Sequence, residues 1–242
     1  MTIRLHVIGC GGIGTQLIEN LVKLTITHSF FAEGVEFHLY DGDYYELKNL
    51  TRQIFSPELE GENKAVVTAE RLANIYPNIS FKPHNVFLDT QKFFDILNNM
   101  SGYGFDVFII AIDNQIGRYD IINAIDQSKR NHFTILPGND FRTATCAWYA
   151  SNDGVIVPCH PFDHIDNYAN PTDKPRGNCA YEVVSHPQLL NANMAAALMS
   201  METLYNYVEG LPLPLRADYN GEKIICNTQG SYKSYARENQ YC

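Results

Sequence analysis

Positive charge is scarce in this sequence. Among 242 residues, 18 Lys and Arg stand against 27 Asp and Glu, which gives a formal net charge of −9 at pH 7. Such a chain lacks the broad basic surface that attracts nucleic acid or an anionic membrane, although a few cations in a cleft can still hold a small anion. We therefore expect no nucleic-acid partner and no membrane partner.

Long apolar runs and export signals are also lacking. The longest uncharged apolar candidate, 187–201, contains polar residues such as Asn191 and Asn193 and is too short and too polar to span a bilayer. The amino terminus enters a strand-like segment without a basic leader and an apolar region. The six cysteines are spaced irregularly, which favours free thiols over a disulfide framework. We expect a cytoplasmic protein.

Strand-like and helical segments alternate through the first 138 residues. Apolar, β-branched runs predict strands, and apolar positions three or four apart predict helices. The predicted strands cover 3–8, 35–40, 79–84, 106–112 and 133–137. The predicted helices cover 14–25, 64–76, 91–99, 116–129 and 187–208. This order is typical of an α/β fold with a Rossmann-like, doubly wound and mainly parallel sheet.

A β-rich addition follows this sheet. Two strand-like runs within 143–158 surround a turn at 151–154, which predicts a hairpin. Residues 159–186 are rich in Pro, Asp, Asn and Gly and predict a long crossover loop. We assign 1–208 to one domain, and 209–242 to a tail with one strand-like run at 223–226 that packs on the domain or is partly disordered.

A glycine-rich loop joins the first predicted strand to the first predicted helix. It has the sequence Gly9-Cys10-Gly11-Gly12-Ile13-Gly14. Glycines at these positions let the backbone turn tightly and approach a phosphate at the helix amino end. Asp41, which ends the second strand, stands where an acidic residue binds a ribose hydroxyl. NAD and ATP fit these residues equally, and the plainer interpretation is a tight turn with close helix packing.

The segment after Asp41 carries side chains that an NAD site does not need. Asn49 and Arg52 are three residues apart, so a helical turn would present an amide and a guanidinium to one ligand. Lys64 begins the second predicted helix, where the helix dipole opposes a cation. A bound anion would resolve this conflict, whereas a solvated surface lysine is the plainer interpretation.

Asp113 and Asn114 follow the fourth predicted strand at its carboxyl edge, the rim where open α/β sheets bind ligands. A carboxylate beside a phosphate normally implies Mg²⁺ between them, which makes Asp113 a candidate metal ligand. The alternative is that Asp113 caps the following helix.

In order and spacing, these residues resemble the ThiF/MoeB superfamily, which includes the HesA proteins and the ubiquitin-activating enzymes. The similarity covers about 1–200 and also includes Arg118-Tyr119. It implies binding of ATP and Mg²⁺, and adenylation of the carboxy-terminal glycine of a small ubiquitin-like or sulfur-carrier protein with release of pyrophosphate. We also expect a homodimer, formed through the sheet's edge or the β-rich addition.

The resemblance assigns a role to each matched residue. Glycines 9, 11, 12 and 14 would pack against the nucleotide, Asp41 would hold the ribose, and Asp113 would bind Mg²⁺. The phosphates would be held by Asn49, Arg52 and Lys64. The implied nucleotide site also includes Asp43, Gln53 and Asn114. A carboxylate that attacks an α-phosphate approaches a polyanion, so the site needs preorganised cations more than a general base.

Cys179 lies in a second matching segment, ahead of the last predicted helix. The segment has the sequence Arg176-Gly-Asn178-Cys179-Ala-Tyr-Glu, and it resembles the superfamily's post-adenylation cysteine motif. A thiolate there would take the acyl group from the adenylate, and Lys174 and Arg176 would lower its pKa. Several members adenylate without a catalytic thiol, so transfer to Cys179 and adenylation alone stay open as alternatives.

Two features depart from the superfamily pattern. Many relatives carry two Cys-x-x-Cys pairs that close a zinc site, whereas only Cys159 and Cys226 lie near the expected places, so we expect no zinc. A substitute site of Cys159, His160, His164 and Cys179 is the less favoured alternative. The sequence also begins at its first strand, without the helix that lends an arginine to the neighbouring site in homodimeric relatives, which puts subunit sharing in doubt.

Two other functions stay open. An NAD-dependent oxidoreductase would use the glycine loop and Asp41 but would leave Asn49, Arg52 and Lys64 without a role. A catalytically inactive scaffold of the same fold would show a lost ATP ligand, and none of the matched positions is lost.

Overall fold

The computed structural model describes residues 2–51, 53, 55–100, 104–163 and 190–227. Within these ranges the strands are β1 (Thr2–Ile8), β2 (Val35–Tyr40), β3 (Ser80–His84), β4 (Gly104–Ile110), β5 (His132–Asn139), β6 (Ala144–Asn152), β7 (Val155–Val157), β8 (Arg216–Tyr219) and β9 (Ile224–Asn227). The α-helices are α1 (Gly12–Thr27), α2 (Lys64–Ile75), α3 (Thr90–Asn99), α4 (Gln115–Ser128) and α5 (Leu190–Glu209).

All these strands belong to one sheet, in the order β3-β2-β1-β4-β5-β6-β8-β9, with β7 paired to β6. The first five strands run parallel. From β1 the chain moves outward to β2 and β3, and then returns to the other side of β1 to form β4 and β5. The strand order therefore reverses beside β1, and open α/β sheets bind ligands at the carboxyl ends of the strands at such a point.

Helices cover both faces of the sheet. Buried residues of α1, α2 and α5 share one apolar core with the strands, and those of α3 and α4 share the other. In α1 the buried Ile13, Leu17 and Leu21 recur every fourth residue, which is the spacing that turns one helix face towards a sheet. The expected doubly wound fold is confirmed.

The described helices and strands match their predicted bounds within two residues through β5. The predicted hairpin is formed by β6 and β7, which pair antiparallel. The prediction of one strand-like run after the last helix was incomplete, because β8 pairs with β6 and β9 pairs with β8. β8 is short, charged and preceded by prolines, and these features conceal its alternation in the sequence.

A buried polar network crosses the sheet face that α3 and α4 cover. Asp106 of β4 is fully buried, accepts a hydrogen bond from His6 Nε2 at 3.1 Å and accepts another from Arg130 Nε at 2.6 Å. Because a carboxylate only accepts, His6 Nδ1 is left to accept from the Tyr40 hydroxyl at 3.0 Å. Burial alone would raise the pKa of Asp106, but His6 and Arg130 outweigh burial and lower that pKa to about 2.

Burial keeps the sheet's histidines neutral. It lowers the pKa of His38 to about 2, and it lowers the pKa values of His84 and His132 to about 4. The rings of His6, His38 and His84 stack across β1, β2 and β3, with centroid distances of 4.9 and 5.4 Å. Each of these side chains is therefore harder to protonate in the folded protein than in the unfolded chain.

The free energy of unfolding should fall as the pH drops below about 6.5. In that range the unfolded chain takes up protons on His38, His84 and His132, while the folded protein does not until each folded pKa is reached. Each such group removes up to about 1.4 kcal/mol per pH unit. Urea unfolding at pH 7.5, 6.5 and 5.5 measures this slope, and His38→Gln should reduce it. A free energy of unfolding that stays constant over this range would contradict the prediction.

Candidate functional site

The glycine loop lies at the carboxyl end of β1. Gly9 has φ of +100°, and a Cβ there would lie 2.7 Å from the Ala111 carbonyl oxygen. The Gly9 N–H donates to the Tyr40 carbonyl at 2.8 Å, and a Cβ at Gly14 would strike the Gly9 carbonyl oxygen. A glycine at position 9 therefore lets the loop join the ends of three neighbouring strands.

The loop ends at the amino terminus of α1. Gly11 is the N-cap and has no side chain that could cap the helix. The Thr15 N–H donates to the Gly11 carbonyl at 2.9 Å. The N–H groups of the first turn, from Gly12 to Gly14, have no partner within the helix. Such a terminus provides backbone donors and a favourable dipole for a bound anion.

Asp41 is fixed by the backbone on both sides. Its Oδ2 accepts from the Cys10 N–H at 2.7 Å, and its Oδ1 accepts from the Asp43 N–H at 2.8 Å. Burial raises the pKa of Asp41, while Lys64 and the two backbone N–H groups act in the opposite direction. The carboxylate is thus held in one orientation beside the glycine loop.

Lys64 is buried at the start of α2. Its side chain is 7% exposed, and its Nζ lies 3.3 Å from Asp43 Oδ2. The interpretation of Lys64 as a solvated surface lysine is therefore wrong. Asp43, which is 59% exposed, supplies the negative charge that a cation at a helix start requires. A bound phosphate could take over that role, because Asp43 reaches the ammonium from the solvent side.

Asn63 connects this region. Its place directly before the predicted helix at 64 is typical of an N-cap, but that pattern does not indicate the contacts of its Nδ2. Its Oδ1 caps α2 by accepting from the N–H groups of Ala65 and Val66, both at 3.1 Å. Its Nδ2 lies within 3.0 Å of the carbonyl oxygens of Asp41 and Asp43, and 2.8 Å from Asn85 Oδ1. One amide thus ties the loop after β2 to the start of α2 and to the end of β3.

Asn49 and Gln53 are two buried polar residues, and the side chain of Gln53 lies near the glycine loop. Asn49 lies in a short 3-10 helix, Leu47–Thr51, is 3% exposed and accepts from the Glu46 N–H at 3.2 Å. Gln53 is 6% exposed, and its Nε2 would lie 3.7 Å from a Cβ at Gly11. Arg52, which we predicted to share a face with Asn49, lies outside the described residues.

Two buried amide atoms beside the glycine loop have no hydrogen-bond partner among the described residues. They are Gln53 Oε1 and Asn193 Nδ2. Asn193, in the first turn of α5, accepts from Asn139 Nδ2 at 2.6 Å, and a Cβ at Gly12 would lie 2.5 Å from its Nδ2. An unsatisfied buried donor or acceptor costs about 1–3 kcal/mol, so a polar ligand that bonded to these atoms would be stabilised.

Asp113 lies beyond the end of β4 and is exposed. The alternative that Asp113 caps α4 is wrong, because the N-cap is Asn114, whose side chain accepts from the Gly117 N–H at 2.6 Å. Arg118 is 5% exposed and donates to the carbonyl oxygens of Ile112 and Pro137, which fixes α4 against the ends of β4 and β5. Asp113 keeps its carboxylate in solvent at the same rim as the glycine loop.

No helix in the described part of the chain is long and apolar enough to cross a membrane. The same part contains no cluster of three His, Cys, Asp or Glu side chains arranged to hold a metal ion. Cys10, Cys146, Cys159 and Cys226 are free thiols. Cys179 and His164, together with the segment that contains them, lie outside the described residues.

A doubly wound sheet with a glycine loop at its switch point, a fixed carboxylate after β2 and a buried lysine has the features of a nucleotide-binding α/β domain. Comparison with known proteins narrows this class. The ThiF family model matches residues 1–219, and the chain belongs to the ThiF family.

Among curated proteins, the chain is similar to ubiquitin-like modifier-activating enzyme 5. It is 26% identical to the Drosophila persimilis protein over 182 residues, covering 72% of this chain and 45% of that protein. It is 29% identical to the Bombyx mori protein over 161 residues, covering 64% and 39%. The chain thus spans less than half the length of these relatives.

Among solved structures, the fold is similar to that of E. coli MccB crystallised with ATP. The TM-score is 0.61 at 21% identity, and the match covers 96% of this chain and 64% of MccB. The structure of E. coli MccB with MccA gives a TM-score of 0.59. These matches confirm the α/β architecture.

Proposed function

We propose that the protein is an adenylyltransferase that uses ATP to activate the carboxy-terminal carboxylate of a small ubiquitin-like or sulfur-carrier protein, or of a peptide. Membership of the ThiF family supports this proposal, as does the similarity to proteins named as ubiquitin-like modifier-activating enzymes. MccB, which shares the fold, has been crystallised with ATP.

The observation that carries the proposal is the buried Lys64 beside the glycine loop and Asp41. Its ammonium is buried, and among the described residues the carboxylate of the exposed Asp43 is the one that lies within 4 Å of it. Burying a charge is costly unless strong partners compensate it, which a polyphosphate would do. A dehydrogenase that binds NAD through the same loop has no use for this lysine.

The available donors and acceptors fit ATP. The first-turn N–H groups of α1 and the Lys64 ammonium would bind phosphate oxygens, and Asp41 has lone pairs left to accept from ribose hydroxyls. Asn49, Gln53 and Arg52 complete the polar side of the site in this proposal. Asn114 caps α4, and in this proposal it would also border the site.

In the proposed reaction a carboxylate oxygen of the substrate attacks the α-phosphorus, the bond to the β-phosphate bridging oxygen breaks, and pyrophosphate leaves. Both reactants are anions, so this chain's task is to neutralise and align them. Lys64 and Arg52 would supply the fixed positive charge, and the α1 amino terminus would supply preorganised donors. Asp113, a hard oxygen ligand at the same rim, would hold Mg²⁺, which supplies further charge neutralisation.

Exchange of labelled pyrophosphate into ATP tests the proposal. Purified protein is mixed with ATP, Mg²⁺ and candidate carriers that end in glycine, and ATP and NADH binding are measured in parallel. We expect exchange that depends on a carrier, and binding of ATP without binding of NADH. NADH binding with no ATP binding would favour the dehydrogenase. ATP binding without exchange at a saturating concentration of the cognate carrier would favour the inactive scaffold.

Transfer of the activated acyl group to Cys179 is a further part of the proposal. Burial raises the pKa values of Cys10, Cys146 and Cys159, which makes these thiols poor nucleophiles. Cys179→Ser should keep pyrophosphate exchange and lose any thiol-sensitive adduct with the carrier, which a non-reducing gel detects. An adduct that persists in this variant would move the nucleophile elsewhere.

A homodimer also stays a proposal, and the structure offers another surface for it besides the sheet's edge and the β-rich addition. Leu190, Met194 and Leu198 are each about half exposed on α5, beside a groove of about 840 Å³ that is lined by α1, α5 and residues 219–224. Its lining includes both Lys23 and Glu222, so the same face could pair with itself about a twofold axis. Light scattering of the purified protein gives its mass, and a monomer at all concentrations would contradict this part.

A further inference from the structure

Phe87 lies in the short connection between β3 and α3 and is the feature from which we draw a further inference. Its side chain is 49% exposed, whereas the next residue, Leu88, is 5% exposed and belongs to the apolar core under α3 and α4. Asp89 caps α3 directly afterwards. The backbone around Phe87 is thus held by β3, the core and a helix cap, so the exposed ring stands on a rigid base.

The ring packs on the backbone of Gly42. A Cβ at Gly42 would lie 2.5 Å from both Cγ and Cδ2 of Phe87. Gly42 separates Asp41 from Asp43, so the ring packs on the backbone of the residue that directly follows the aspartate we propose for the ribose. Phe87, brought from the neighbouring strand, fills the space that a side chain at position 42 would occupy.

The ends of β1, β2 and β3 lie in the same order as the phosphates, the ribose and the base of a nucleotide. β1, β2 and β3 are adjacent and parallel, and neighbouring strands lie about 4.8 Å apart. The glycine loop follows β1, Asp41 follows β2, and Phe87 lies three residues past β3. If phosphates bind at the glycine loop and the ribose at Asp41, the base continues in the direction of Phe87.

We propose that Phe87 is the platform on which the adenine base of ATP stacks. This inference rests on the proposed use of ATP. An aromatic face binds a base by stacking whatever the base's hydrogen-bonding edge, so Phe87 would add affinity for the nucleoside and none for the triphosphate. It would act on substrate affinity and leave the adenylation step itself unchanged.

Calorimetric titration with ATP and with inorganic tripolyphosphate tests the proposal. Phe87→Ala should raise the Kd for ATP by about 5- to 150-fold, the range typical when a stacking aromatic is removed, and leave the Kd for tripolyphosphate unchanged. Phe141→Ala is the matched control. Phe141 is also an exposed phenylalanine, 39% exposed, but it lies beyond β5, about 19 Å along the sheet from β3.

A second variant gives an optical readout. Trp148, the only tryptophan in the sequence, is buried at 4% exposure. In Phe87→Trp we expect ATP affinity at least equal to that of the parent, and quenching of the new fluorescence by ATP but not by tripolyphosphate. This variant also keeps the test open if Phe87→Ala fails to fold.

Equal ATP affinity in Phe87→Ala and the parent would overturn the role of Phe87. Equal losses of affinity for ATP and tripolyphosphate would do the same, as would fluorescence of the Phe87→Trp variant that ATP does not quench. A parent protein that does not bind ATP at all would instead contradict the proposed function.

Discussion

Replacing Lys64 with methionine should lower the rate of pyrophosphate exchange by at least 100-fold. Lys64 would contact the phosphates whose charge changes during adenylation, and one lost contact of this kind typically costs about 2.7–4 kcal/mol. Methionine fills a similar volume without the charge, and Lys64 is almost fully buried, so the fold should be kept. The exchange assay with a saturating carrier measures the effect.

Lys48→Met is the matched control. Lys48 lies in the same connection between β2 and α2, but its side chain is 49% exposed and lies 2.8 Å from the carboxylate of Glu46. Its removal should change the exchange rate by less than about threefold, as expected for an exposed ion pair. If Lys64→Met folds normally and exchanges at the parent rate, Lys64 does not belong to the catalytic site.

Replacing Asp106 with alanine should lower the free energy of unfolding by about 3–5 kcal/mol, because the change leaves buried cationic partners without their carboxylate. Arg130 Nε loses its partner at 2.6 Å, and Arg4 Nη1 loses one at 3.5 Å. His6 also loses the acceptor that fixes its tautomer. For a protein of this size we expect the Tm to fall by about 6–20 °C.

Asp218→Ala is the control, because it measures the stability that is lost when an exposed ion pair is removed. Asp218 pairs with Arg216 at 2.7 Å, but both side chains are exposed, so the expected loss is below about 1 kcal/mol. Thermal unfolding of the two variants is compared at pH 7.5. Similar small losses in both would mean that the network around Asp106 contributes little to stability.

The sequence predicts the parallel part of this fold because strand-like segments alternate there with segments that have helical apolar spacing. The glycine loop and Asp41 are also predictable, since their chemistry requires them at the ends of the first two strands. The structure places both at the same rim, as expected. Local pattern and global fold agree in this half of the chain.

The remaining features depend on contacts between residues distant in sequence. Nothing near Lys64 indicates whether its side chain is buried, because Asp43 and the glycine loop are far from it in the chain. Asn193 gives no signal in the periodicity of α5, yet it packs on Gly12 at the start of the first helix. Asn114 rather than Asp113 caps α4, and both residue types are common caps, so composition cannot separate them.

The amide of Asn63 joins three segments through its hydrogen bonds, so we expect their opening to be coupled. Amide protons in the first turn of a helix usually exchange quickly with solvent, because they have no partner within the helix. Here the amide protons of Ala65 and Val66 are bound by Asn63, whose own Nδ2 is bound to the loop after β2 and to Asn85. We therefore expect their exchange with deuterium to report the opening of these three segments, and to slow when a ligand holds the segments together.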